Sequence, residues 1–102
     1  MSSNRQVVEG MQYQGVDEIL VYSISASPAP LNVIQVKVFD ETQNFLDVTA
    51  TVMPAGSASI NGSAITLPAL KLLTDGHVYR VEVLFSDGTN TFEPYFRVRA
   101  ER

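Results

Sequence analysis

Between Leu73 and Phe85 the chain reads Leu-Thr-Asp-Gly-His-Val-Tyr-Arg-Val-Glu-Val-Leu-Phe. A short polar segment with a glycine runs directly into strict alternation. Tyr79, Val81, Val83 and Phe85 fall on one face, and Arg80, Glu82 and Leu84 on the other. Period two is the signature of a strand with one face buried. Leu73 stands six residues before Tyr79, and Gly76 three before it. A buried tyrosine at such a bend needs a core for its ring and a partner for its hydroxyl. Leu73, Gly76 and Tyr79 therefore mark a structural corner.

That spacing resembles the tyrosine corner of immunoglobulin-like and fibronectin-type β-sandwiches, where the hydroxyl bonds back to backbone near the turn. The resemblance implies an all-β, antiparallel sandwich of six to seven strands. Such folds carry many unrelated activities, so the corner speaks to fold and not to function. The chain has no Cys and no Trp, which rules out the antibody-type core of Cys, Trp and Cys. Val81 stands two residues after Tyr79, where an antibody-type domain has its second Cys.

A chain of 102 residues is long enough for one domain. At this size roughly 65% of the unfolded surface is buried, enough for one core without staples. Without cysteine there are no disulfides and no thiolate metal sites. A net charge of −4 argues against nucleic acid as a partner. No apolar run is suited to a signal peptide or long enough to cross a bilayer, so no membrane insertion is expected. Residues 1–15 show no sustained alternation and are expected to be an arm, either flexible or docking to a partner. Val7, Val8, Met11 and Tyr13 keep docking open beside simple disorder. Residues 16–102 are expected to form the sandwich.

Within that domain the pattern predicts a first strand over 17–26, with Leu20, Tyr22, Ile24 and Ala26 inward. A second runs over 32–39, with Ile34, Val36 and Val38 inward, and a third over 45–53. Asn61-Gly62 marks a tight hairpin between two short strands. No long helix is expected. The last two strands form a hairpin about residues 86–90. Two registers let the core faces coincide. A tight Asp87-Gly88 turn sets Glu82 opposite Glu93; a looser loop pairs Phe85 with Phe92 and Val81 with Phe96 but sets Arg80 opposite Arg97. The aromatic pairs favour the looser loop. Pro94 implies an edge position or a bulge for the last strand.

Chemistry is sparse. His77 is the only histidine, and neither a nucleophile elbow nor an orienting motif accompanies it. The turn carboxylates Asp40, Glu41, Asp75 and Asp87 lack the spacing of a calcium loop. One histidine without cysteine is a poor zinc set. No catalytic residue, metal or cofactor is therefore assigned. An alternating basic and aromatic face can bind nucleic acid or a carboxylate-rich surface. Tyr95, Arg97 and Arg99 share such a face of the last strand, but the plainer reading, favoured in an acidic chain, is a solvated outer face with Glu82 as a cross-strand partner. With Val8, Met11 and Tyr13 they form the candidate interaction surface. Sugar-binding modules offer exposed aromatic platforms, for which Tyr13, Phe45 and Tyr95 are the candidates here.

Three blocks, Gly15 to Ser25, Gly76 to Val81 and Ser86 to Arg102, together resemble small immunoglobulin-like structural accessory proteins of bacteriophages and prophages. The first carries Asp17-Glu18, an apolar pair and Tyr22; the last is a closing hairpin ending in a basic strand. The resemblance implies a non-enzymatic tail or virion subunit, found in the virion or in the bacterial cytoplasm during assembly. It would work through contacts with other subunits or with copies of itself. The alternative from another class is a ligand-binding or adhesion module, with carbohydrate as the ligand.

Overall fold

The computed structural model describes residues 6–26, 29–54 and 57–102, with side chains from Met11 onward. The chain forms an all-β fold in which a larger mixed sheet packs against a smaller one, a β-sandwich. Its elements are β1 (Gln6–Gly15), β2 (Ser23–Ser25), β3 (Asn32–Asp40), a 3-10 turn (Glu41–Gln43), β4 (Leu46–Asp47), α1 (Thr49–Val52), β5 (Ser59–Asn61), β6 (Ala64–Thr66), β7 (Val78–Ser86), β8 (Thr91–Phe92) and β9 (Tyr95–Glu101). Sheet A has the order β1-β9-β7-β3-β4, with β8 extending the β7 hairpin; sheet B has the order β2-β6-β5. Among the described residues nine strands, two of them only two residues long, stand where six to seven were expected.

The core lies between the sheets. Val81 and Val83 from β7, Val98 and Ala100 from β9, Val38 from β3 and Ile65 from β6 have no exposed surface. Around them pack Tyr79, Phe85, Phe96, Leu67, Leu70 and Leu73. The alternation of β7 from Tyr79 to Phe85 is realised residue by residue. At the corner, Tyr79 is 2% exposed and its hydroxyl accepts the Thr74 N–H at 2.7 Å. Leu73 is buried beside it, and Gly76 takes φ +82°, a conformation that glycine adopts without penalty.

The closing hairpin has the expected register: Phe85 pairs with Phe92, Val81 with Phe96 and Arg80 with Arg97. The Phe85 and Phe92 rings stack at 5.3 Å. Pro94 sits between β8 and β9 without shifting that register. Its carbonyl accepts the Val83 N–H at 2.9 Å, so the ladder crosses the gap.

Several expectations are corrected. Residues 6–15 are not a free arm but strand β1, which runs parallel to β9, with Met11 beside Arg97 and Tyr13 beside Arg99. Residues 1–5 lie outside the described residues. The last strand is therefore not an edge, because β1 covers its other side, and sheet A is mixed and not purely antiparallel. The positions of β1 that face inward are Gln12 and Gln14, beside Val98 and Ala100. Gln14 is fully buried. Its amide donates to the carbonyls of Leu70 at 2.7 Å and Glu18 at 2.9 Å, and it accepts the Tyr22 hydroxyl at 3.0 Å.

The strand expected over 17–26 shrinks to β2. Upstream of it a single bridge, Leu20 to Leu70, is out of step by one residue with the β2–β6 ladder. Pro68 lies opposite the break and has no N–H to offer. In β3, Ile34 points outward and is 50% exposed, because a bulge between Val33 and Gln35 reverses the alternation. The strand expected over 45–53 becomes β4 followed by the single turn α1. Asp47 Oδ1 accepts both the N–H and the hydroxyl of Thr49, and the Thr49 oxygen in turn accepts the Val38 N–H. This side chain satisfies β3 where a strand partner would otherwise lie, and the turn carries Val52 and Met53 into the core.

Candidate interaction face

Strand register places the candidate residues in rows on the outer face of sheet A. Paired residues share a face, so the middle row reads Met11, Arg97, Arg80, Phe39 and Asp47 across β1, β9, β7, β3 and β4. The row toward the corner carries Tyr13, Arg99 and Val78. The row on the other side carries Tyr95, Glu82 and Lys37. The structure thus brings Met11, Tyr13, Tyr95, Arg97 and Arg99 together. Val8 belongs to β1, but its side chain lies outside the described residues.

Arg80 and Arg97 are directly opposed, an arrangement that like charges disfavour. Each has its own compensation. Arg97 makes a two-pronged ion pair with Glu41, Nε at 3.1 Å and an Nη at 3.0 Å. The guanidinium of Arg80 lies 3.8 Å from the Tyr95 ring centre and 5.7 Å from that of Phe45. Such contacts attract a cation to the negative face of the ring. Glu82 adds an ion pair at 3.6 Å from the Arg80 Nε, too long for a hydrogen bond. That Nε is buried without a hydrogen-bond partner among the described residues. Arg99, by contrast, is exposed and makes no hydrogen bond or ion pair among the described residues. Tyr13 beside it is 58% exposed.

The loop that delivers Glu41 and Phe45 is held firmly. Asp40 is buried at its base. Its carboxylate accepts the Gln43 amide at 2.6 Å and the Thr42 N–H at 3.0 Å, and lies 2.7 Å from the His77 Nδ1. Thr42 Oγ1 accepts the Val78 N–H at 2.9 Å. Burial alone pushes the Asp40 carboxyl upward, but the hydrogen bonds from Gln43 and His77, the charge of His77 and the Thr42 N–H hold it below its ordinary value. Asn44 and Phe45 both follow with φ near +60°. Asn tolerates this region, whereas an aromatic residue there is strained.

His77 is therefore part of the anchor of this loop. Among the described residues no group of three or more metal-ligating side chains occurs. A cavity of about 290 Å³ opens elsewhere, beside β3 and α1, lined by Val33, Ile34, Val36, Met53, Ala58 and Pro68 among others. Its hydroxyl-bearing residues are Thr49 and Ser57, and no titratable side chain lines it to act as their base. No helix among the described residues is long and apolar enough to cross a membrane.

The sequence reading missed Glu41 and Arg80 as members of this face. The signal was available for Arg80, since the register that pairs Phe85 with Phe92 sets it against Arg97. No comparable signal marks Glu41, whose approach depends on the loop. Comparison with known proteins finds no matching family model, no matching curated protein and no matching solved structure.

Proposed function

We propose that the protein is a non-enzymatic interaction module, an accessory subunit of a phage or prophage virion or tail, and that the outer face of sheet A is its contact surface. The observation that carries this reading is the organisation of the face. Three arginines and three aromatic rings are aligned by register; Arg97 is held by its ion pair with Glu41 and Arg80 by stacking on Tyr95, with Tyr13 and Arg99 left exposed at one side. Arginine and tyrosine are the residue types that most often anchor protein interfaces. The phage setting is supported by the three sequence blocks described above. For the carbohydrate alternative, Arg80 covers one face of the Tyr95 ring, which leaves Tyr13 and Phe45 as the exposed rings.

The reading is tested by purifying particles from a producing host that carries a tagged copy of the chain. The chain should be a stable component of the particles. Tyr13→Ala with Arg99→Glu should lower its incorporation at least about tenfold while the circular dichroism spectrum stays unchanged. Absence from purified particles, or undiminished incorporation of the folded double variant, would refute the reading.

A further inference from the structure

We infer that the occupant of this face is the same face of a second copy of the chain. The inference rests on the reading that this face is a contact surface. In the middle row and the row toward the corner the face is asymmetric in charge across its width, while Lys37 of β3 stands in the third row. At the β1–β9 side stand Tyr13 and the unpaired Arg99. At the β3–β4 side stand exposed Asp47 and half-exposed Phe45. Asp47 commits its Oδ1 to Thr49, which leaves Oδ2 for an incoming donor. β7 runs along the middle.

A two-fold axis parallel to the strands and passing over β7 exchanges the two sides and keeps height along the strands. β1 of one copy then lies over β4 of the other, and β9 over β3. Arg99 comes within one strand and one row of Asp47 of the second copy, and Tyr13 meets Phe45. Each contact occurs twice, as a closed symmetric interface requires. The middle of the face does not oppose this. Arg80, which approaches its own symmetry mate there, already carries Glu82 beside it, and Arg97, which faces Phe39 of the second copy, is paired with Glu41. Four strands about 4.8 Å apart and roughly 25 Å long, with the two-residue β4 beside them, offer about 500 Å² per copy, or about 1,000 Å² for the pair, close to the least that a specific interface needs. The rigid anchoring of the Phe45 loop by Asp40, Thr42 and Glu41 means that little ordering remains to be done on contact.

Sedimentation velocity of the full chain from about 1 to 100 µM tests the inference. The wild-type chain should form a dimer in this range. Arg99→Glu and Asp47→Lys should each weaken it at least about tenfold, and their combination should restore it to within about threefold of the wild type. Circular dichroism confirms that each variant is folded. A wild-type chain that is monomeric at the highest concentration overturns the inference. So does a dimer indifferent to both single changes, or a combination that restores nothing. If the wild type is monomeric while the Tyr13 and Arg99 variants still lose incorporation into particles, self-pairing fails and the contact-surface reading stands.

Discussion

Gln14→Leu should be among the more damaging single changes in the protein, although glutamine is ordinarily a surface residue. The side chain is fully buried and makes three hydrogen bonds that tie β1 to the segments entering sheet B. Leucine is of similar size, so the cavity term is small and the polar term decides. Each hydrogen bond contributes about 0.5–1.5 kcal/mol net, giving roughly 1.5–4.5 kcal/mol gross. Two features reduce that. The Leu70 carbonyl keeps the Leu20 N–H as a partner, and Glu18 is exposed enough for water to reach its carbonyl. The Tyr22 hydroxyl loses its acceptor; burial first, and then the Glu18 carboxylate, raise its pKa, so it stays a neutral donor in need of one. A leucine also buries more apolar area than the amide it replaces. The expected net loss is about 2–3 kcal/mol, or roughly 10–20 °C in Tm for a domain of this size. Urea unfolding measures it, with the slope showing whether β1 remains part of the cooperative unit. A loss below about 0.5 kcal/mol at unchanged slope would mean that β1 is not held by this amide.

Tyr79→Phe removes the acceptor of the Thr74 N–H and should cost about 1–3 kcal/mol by urea unfolding, with the fold retained. Val83→Ala opens a cavity at a position with no exposed surface and should cost about 2–3 kcal/mol in the same assay. The Asp40 carboxyl is held below its ordinary value in the folded chain, so the unfolded chain takes up its proton first as pH falls. The stability it contributes is present above the unfolded value of about 3.9 and is lost as pH falls through the lower folded value. Asp40→Asn should therefore flatten the acid limb of a Tm-against-pH profile below about pH 4, while unchanged steepness there would assign that limb to other carboxylates.

The alternation from Tyr79 to Phe85 was enough to define the central strand, the corner and the register of the closing hairpin. There the inward residues are large and apolar, and a one-residue slip would turn them to solvent. Of the registers that keep them inward, the one that pairs Phe85 with Phe92 avoids setting Glu82 against Glu93. The outer row of Tyr95, Arg97 and Arg99 followed from the same parity. β1 was not legible, because its inward positions are Gln12 and Gln14, and a polar residue becomes a core residue only where partners from other segments satisfy it. Ile34 and the run after Phe45 misled for related reasons. A bulge reversed the face of β3, and the Thr49 side chain took the place of a strand partner, so that the threonine-rich segment closed into a helical turn. Local pattern reports which face a regular strand will bury. Which polar groups are paid for by distant partners, which strand closes an edge, and which charges meet across the face of sheet A depend on contacts between segments far apart in the chain, and only the tertiary structure decides them.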